Sequence, residues 1–490
     1  MTSLTAALGM PLAPELALFA MVVLVLFAGL AQRSAGVENH EGIAWATVFG
    51  LVIAFVLTFL AEEGLPAFGG VFLQDSLAIF AKRVFIGAAA LSLLGSLTIG
   101  RATFTRRAAE YHIALLMSHI GMSILASARE LITLFVGFEL MSIPLYLMTG
   151  FLKRDATAPE AALKFFLIGT VSAAVIAYGM SFIFGVTGST MISGIAPALA
   201  DGHPLVMLGM ALVLAGLGFK IAAFPFHMWA PDTYEAATAP FVAWLSVAPK
   251  AAGLVAIIRL YIEGVGSSAL VWMPVIAAMA GMTIVTGNLM AIPQRNIKRL
   301  LAYSGIAHIG YMLVGLAALS ANGVGMVLFY LVAYLFGNMG AFLVVEAVAR
   351  SEESDSIDAY RGLAQRSPLL ALAMLIFLLS LGGIPFVAGF WAKLYVFWAA
   401  IEQGMYGLVF LGAVLTVVAL YYYLLVARRM YIEAPVRSDR IRIPGPLAIA
   451  IVICALAVVG IGAYPAPWVN EAMRVASTLF TSSTPAAGLP

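Results

Sequence analysis

A single cysteine, Cys454, stands among 490 residues. One thiol excludes a disulfide framework, a cysteine-held iron–sulfur cluster and a thiolate zinc site within this chain. Charge is almost as scarce. Only 10% of the residues are Asp, Glu, Lys or Arg, against ~25% in a soluble domain, and no long run of one sign occurs. With a net charge of +2, nothing points to nucleic acid as a partner. The chain has no Gly-rich dinucleotide fingerprint and no P-loop, so no nucleotide cofactor is expected in it. A basic stretch ahead of the first apolar segment is missing as well, because the first basic residue is Arg33. The segment 12–31 therefore reads as a retained span rather than a cleaved leader.

What fills the chain is hydrocarbon: 63% of the residues are hydrophobic and the mean hydropathy is +1.03. Lipid must meet that surface. A helix crossing ~30 Å of hydrocarbon needs ~20 mostly apolar residues. That length marks fourteen candidate spans near 12–31, 43–61, 79–99, 110–127, 130–152, 160–187, 204–232, 236–262, 270–290, 297–319, 323–349, 367–398, 405–427 and 446–466. The expected fold is an all-α polytopic membrane protein. Loop charges test the count. With both termini outside, the inner loops carry seventeen basic residues between Arg33 and Arg442, among them Arg101, Arg106, Lys153, Arg154, Arg295 and Arg428. The outer loops are left with Lys82, Arg83 and Arg129. Such asymmetry is what the positive-inside rule demands.

Two spans are interrupted by proline. The seventh reads Phe219-Lys220-Ile221-Ala222-Ala223-Phe224-Pro225-Phe226-His227, and the twelfth Gly382-Gly383-Ile384-Pro385-Phe386-Val387-Ala388-Gly389-Phe390-Trp391-Ala392-Lys393. Proline removes a backbone donor and clashes with the preceding turn, so both helices should break at mid-depth. An offset of five spans makes them cross in opposite directions, as two inverted five-helix repeats (spans 4–8 and 9–13) require. Matching broken helices are the best sequence pointer to an intramembrane ion site. The implied division is an N-terminal three-helix segment (1–109), repeats over 110–265 and 266–430, and a C-terminal loop and helix (431–490).

Most ionisable residues fall in loops or at span ends. Arg259 near the end of the eighth span fits a snorkelling side chain, and Glu160 with Lys164 an interfacial anchor or local pair. Four residues resist that reading: Glu139, Lys220, Lys250 and Lys393. A charged side chain at the bilayer centre costs ~2.5–3.5 kcal/mol even on a lenient scale. Burial disfavours the charged form of a lysine, and a nearby carboxylate restores it. Lysines that gain or lose a glutamate partner are therefore the minimum machinery of a gated proton relay. Glu139 with Lys220 is the natural modulating pair, with Lys250 the next station and Lys393 the last. His308 has Ser304 one turn before it and Tyr311 almost one turn after it, so the three can share a face. Both a relay role and a satisfied core histidine fit His308, and the same holds for His227. His112 and His119, seven apart, read as core packing, without acidic or cysteine partners at ligand spacing.

These residues carry a resemblance. Gly137-Phe138-Glu139-Leu140-Met141-Ser142-Ile143-Pro144-Leu145 resembles the glutamate helix of the antiporter-like, proton-pumping subunits of respiratory complex I. Phe219-Lys220 with Pro225-Phe226-His227-Met228-Trp229-Ala230-Pro231-Asp232 is similar too, as is the stretch from Gly287-Asn288 through Arg299 to His308-Ile309-Gly310-Tyr311. The resemblance covers roughly 110–430. Pro231-Asp232-Thr233-Tyr234, Lys250 with Ala251-Ala252, Tyr360-Arg361-Gly362-Leu363 and Lys393 suit one branch of that family. A second branch has glutamate at the position of Lys393, and a third carries a long lateral helix. Glu235-Ala236-Ala237-Thr238-Ala239-Pro240 departs from the family, whose glycine and proline come sooner, at the turn entering the eighth span.

The resemblance implies that Glu139, Lys220, Lys250 and Lys393 line one proton channel, with no cofactor in this chain. It places FMN, iron–sulfur clusters and quinone in other subunits. The partners would be other membrane-arm subunits and membrane lipids, in a hetero-oligomer of the bacterial cytoplasmic membrane with both termini periplasmic. A subunit of a multi-subunit sodium/proton antiporter, sharing the same core, is the nearest alternative. A stand-alone secondary transporter is a third.

Overall fold

The computed structural model describes residues 10–36, 39–97, 107–151, 157–264, 271–437 and 439–481. The expected inner-loop basics Arg101, Arg106, Lys153 and Arg154 lie outside these residues. Each of the fourteen apolar stretches forms helix among the described residues. The first six helices are α1 (Ala13–Ala35), α2 (His40–Leu60), α3 (Ser76–Ser96), α4 (Ala108–Ser127), α5 (Leu131–Thr149) and α6 (Thr157–Thr187). The seventh span is α7 (Pro204–Ile221) and α8 (Trp229–Ala236), and the eighth is α9 (Ala239–Leu245) and α10 (Ala248–Ile257). There follow α11 (Met273–Ala291), α12 (Ile297–Ala317), α13 (Ala321–Glu352), α14 (Pro368–Gly382), α15 (Ala388–Glu402), α16 (Tyr406–Tyr431), α17 (Gly445–Ala463) and α18 (Ala466–Thr481).

Twelve helices among the described residues are long and apolar enough to cross a membrane. The other two expected spans are α4, whose histidines and serines lower its hydropathy, and the span split into α14 and α15. Both expected breaks are present: Ile221 is followed by Ala222 at φ 58°, and Gly382 by Gly383 at φ 81° with Phe386 at φ 74°. Positive φ is strained for Ala and Phe, and it turns the chain where proline has removed a donor. A β-hairpin and a C-terminal helix were not anticipated. Strands β1 (Leu65–Ala67) and β2 (Phe72–Gln74) pair antiparallel between α2 and α3. Helix α18 buries Ala472, Val475, Ala476 and Leu479, one stripe at helical spacing, against α13.

The chain folds as two compact units, Met1–Lys220 with Ala248–Ser268, and Ile221–Val247 with Ala269–Pro490. Each unit contains helix hairpins that pack at backbone distance. α4 lies against α5 where a Cβ on Gly121 would sit 2.2 Å from the Met141 nitrogen, and α11 against α12 where one on Gly287 would sit 2.4 Å from the Ala307 nitrogen. Only glycine permits either approach.

Two of the charges placed in loops or at span ends belong inside the first unit. Lys82 does not lie in an outer loop; it is fully buried on α3. Arg259 does not snorkel. It is 0% exposed, within a π turn over Ile258–Glu263 that continues α10. Its guanidinium donates to both oxygens of Asp75 at 2.6 Å, to Glu263 at 2.9 Å and to the Ala126 carbonyl at 3.1 and 2.9 Å. Asp75 caps α3 by accepting from Ala78 N at 2.9 Å and also meets Arg129, which pairs with Glu263. Sequence periodicity could not reveal this clasp, because its bonded partners are up to 184 residues apart. By contrast, Glu160 and Lys164 form the exposed local pair at 2.8 Å.

Burial alone would raise the Asp75 carboxyl, but Arg259, the Ala78 N–H and Arg129 together more than offset it and hold Asp75 below its usual 3.8. A carboxylate depressed in the folded state stabilises above its ordinary pKa and loses that contribution as pH falls through the lowered one. Thermal unfolding of the detergent-solubilised assembly should therefore be insensitive to this pair near neutrality and fall only below about pH 4. Asp75→Asn should destabilise by about 3–5 kcal/mol, since it removes the carboxylate that takes two donors of the buried guanidinium and leaves Glu263 alone to balance Arg259 and Arg129. An unchanged melting profile would contradict the assignment.

Candidate functional site

The first unit places Glu139 and Lys220 on two helices with opposite local constraints. Glu139 is half-buried in the middle of α5, one turn before Pro144, which lacks the N–H that would otherwise bond the Leu140 carbonyl. Lys220 is in the last turn of the half-helix α7, where the macrodipole favours a cation. It is 1% exposed. Its ammonium donates to Ser142 Oγ at 2.8 Å and lies 5.4 Å from the centre of the Phe138 ring. Ser142 in turn donates to the Phe138 carbonyl at 2.6 Å. Glu139 is within electrostatic reach of Lys220, yet its buried Oε1 has no hydrogen-bond partner among the described residues. The pair is coupled through space without a direct contact. Ser142 was not singled out from the sequence, although it is three residues from Glu139 and so on the same helix face.

Lys250 is in the first turn of α10 and 1% exposed. It belongs to the same compact unit as Lys220, although the intervening segment Ile221–Val247 belongs to the other.

The second unit gathers the remaining candidates around α12. His308 Nδ1 is 2.7 Å from Tyr330 Oη, and its Nε2 is 3.4 Å from Tyr423 Oη. Tyr423 Oη is also hydrogen-bonded to Ser304 Oγ, so Ser304 and His308 do share a face. Tyr311 packs edge-on against His308 with centroids 6.0 Å apart. Asn288 joins a second chain, donating to Tyr311 Oη at 3.2 Å and accepting from Tyr422 Oη at 3.1 Å. Tyr330, Tyr422 and Tyr423 were absent from the sequence reading, and Asn288 entered it only as part of a family motif. Their signal was a run of tyrosines, 421–423, in an otherwise apolar helix.

Lys393 is 4% exposed on α15. Its ammonium reaches back across the break to donate to the carbonyls of Leu381 at 2.9 Å and Gly382 at 3.2 Å, and it lies 4.8 Å from the Tyr311 ring centre. These are orphan carbonyls at the C-terminus of α14, the negative end of that half-helix. Both lysines beside the breaks thus sit at half-helix C-termini, Lys220 on its own and Lys393 on its predecessor's. His227 stacks on Phe224, centroids 5.8 Å apart, and joins no hydrogen-bond chain among the described residues. At the first break the Phe224 N–H is satisfied by Thr283 Oγ1 at 3.0 Å. The unusual Glu235–Pro240 turn is held by Arg299, which donates to Asp232 at 2.7 Å and Glu235 at 2.8 Å.

A family model described as NADH:quinone oxidoreductase/Mrp antiporter, transmembrane, matches residues 128–419. The NADH-quinone oxidoreductase subunit N of Heliobacterium modesticaldum is 41% identical over 459 residues, covering 93% of this chain and 96% of that protein. The chain belongs to the NADH-quinone oxidoreductase subunit N family. That is the branch to which Lys393 and the Pro231–Tyr234 run pointed. A chain of Thermus thermophilus respiratory complex I is 31% identical with a TM-score of 0.80, covering 93% of this chain and 98% of that one. A chain of the Mrp complex from a Dietzia species has a TM-score of 0.84 over 98% of both chains at 20% identity, which shows a shared fold.

Gly383 is the structural condition for the Lys393 seat. Its φ is 81°, and a Cβ would approach Lys393 Cδ to 3.0 Å. Gly383→Ala should cost about 1 kcal/mol or more in backbone strain and displace the ammonium from the Leu381 and Gly382 carbonyls. Proton pumping per NADH oxidised by the assembled complex should fall; unchanged pumping would show that the seat is dispensable.

Proposed function

We propose that this chain is a proton-translocating membrane-arm subunit of NADH:quinone oxidoreductase, with Glu139, Lys220, Lys250 and Lys393 as successive proton stations. The observation that carries the reading is the Lys220 environment: an ammonium enclosed in the membrane, held by one serine, with a carboxylate nearby but not in contact. At an effective dielectric of about 20, a carboxylate favours an ammonium by about 4 kcal/mol at about 4 Å and by about 2 at about 8 Å. Moving Glu139 between such positions would change the proton occupancy of Lys220 about thirtyfold. That is enough to load or empty it.

His308, Ser304 and Tyr311, together with Tyr423, Tyr330 and Asn288, are proposed as the hydrogen-bonded wire of the second unit, ending at Lys393; His227 is a further candidate. The matching breaks and the matching glycine-packed hairpins support reading α4–α10 and α11–α16 as inverted repeats. Energy would come from quinone reduction in other subunits, which would hold FMN, the iron–sulfur clusters and the quinone. The enzyme is thus the complex, located in the bacterial cytoplasmic membrane with the chain's termini on the periplasmic side. The fold shared with an Mrp chain keeps a sodium/proton antiporter subunit as the second reading. Purification separates the two: flavin- and cluster-bearing partners support the first, and their absence with sodium-dependent exchange supports the second.

Lys220→Met and Lys250→Met should each reduce NADH-driven proton uptake into inverted vesicles by an order of magnitude or more, in the range typical of lost proton-transfer groups, ~10²–10⁴-fold. The amount of assembled complex should be unchanged. Full pumping in both variants would overturn the relay. Ser142→Ala, which removes an acceptor but no titratable group, should have a smaller effect.

A further inference from the structure

The most completely buried charge pair of the first unit takes no part in the relay described above. Lys82 of α3 is 0% exposed, and its ammonium pairs with Glu15 Oε1 of α1 at 2.7 Å. It also donates to Gln74 Oε1 at the end of β2 and lies 4.9 Å from the Phe72 ring centre. From α4 it is faced by His119, which is fully buried and packs edge-on against Phe85, one turn along α3. Both His119 ring nitrogens lack a hydrogen-bond partner among the described residues. Asp75 and Arg259 are the further charges within its electrostatic reach. From α2, Thr58 is taken up by Arg83.

Stability does not account for this arrangement. A buried ion pair is commonly replaceable by apolar residues without loss, because desolvation offsets attraction. An imidazole with neither nitrogen paired carries a desolvation penalty at each stranded group. Together they form a donor, an acceptor and an amphoteric ring, all titratable and enclosed. They also adjoin the relay. Ser118, next to His119 on α4, donates to the Met141 carbonyl at 2.8 Å, and the following residue is Ser142, the acceptor of Lys220.

We propose that Glu15, Lys82 and His119 form a second proton-exchange site, which passes protons laterally through the N-terminal helices to the Lys220 station. The Lys82 ammonium gives its proton to a His119 nitrogen when the two side chains approach, Glu15 in its carboxylic acid form returns one to the Lys82 amine, and His119 hands its proton on to an unprotonated Lys220, so that one proton crosses for each one Glu15 takes up. This rests on the relay reading of Lys220.

The test uses the intact complex in inverted membrane vesicles, with NADH-driven proton uptake and NADH oxidation measured together. Lys82→Arg preserves the charge and the pair with Glu15, but arginine does not release its proton. If the pair merely held helices together, Lys82→Arg would pump fully, as would the apolar double variant Lys82→Met/Glu15→Leu. As an exchange site it should lose proton uptake several-fold in both, with the complex assembled to normal levels. His119→Gln disturbs no ion pair and should reduce uptake too, which keeps the question open to test if either Lys82 variant fails to assemble. Full pumping in Lys82→Arg, or in His119→Gln should neither Lys82 variant assemble, overturns the proposal. Lys220→Met pumping fully would instead sink the relay itself, so the two failures are distinguishable.

Discussion

An ammonium inside a bilayer has to find its acceptors in the protein, because hydrocarbon supplies none and a charged group at the midplane is expensive. The architecture around the central lysines follows from that constraint. Helices α7 and α14 stop in mid-span and expose the C-terminal carbonyls that a continuous helix would have consumed. Lys393 takes two of these carbonyls directly. Lys220 lies on the last turn of its own half-helix and adds a serine from α5. Proline and positive-φ residues thus provide the seats for the charges that the membrane would otherwise reject.

The same constraint explains why the remaining buried charges are clasped. Arg259 is enclosed entirely, and it is tolerated because Asp75, Glu263 and the Ala126 carbonyl meet its donors. Arg129 completes a set of two acids and two bases. Lys220 and Lys393 differ from this set in kind. Lys220 has a carboxylate in reach but not in contact, and Lys393 has carbonyls. A guanidinium held by contacting carboxylates stays charged, whereas an ammonium can change its protonation as a carboxylate approaches or withdraws.

Two mistaken expectations come from one source. Lys82 was assigned to an outer loop and Arg259 to an interface because each lies near a span boundary in the sequence. Depth along one helix does not say whether a side chain meets water or another helix. The partners, Glu15 and Asp75, come from elements 67 and 184 residues away. The tyrosine and asparagine wire around His308 was hidden for the same reason: Tyr423 is 115 residues from His308, and a tyrosine in an apolar run looks like packing until its hydroxyl finds a partner.

Sequence alone determined the membrane class, the fourteen helical stretches and the identity of the four central ionisable residues. These are properties of local hydropathy and of residues whose burial is costly wherever they occur. It also located both helix breaks, because proline acts on its own turn. The tertiary structure decided everything that depends on pairing. It placed Ser142 rather than Glu139 against Lys220, gave Lys393 the carbonyls across its own break, and buried the Arg259 clasp and the Lys82 pair. It grouped Ile221–Val247 with the second unit while returning Lys250 to the first. Pairing energies depend on distances of a few ångströms between residues far apart in the chain, and only the packed helices set those distances.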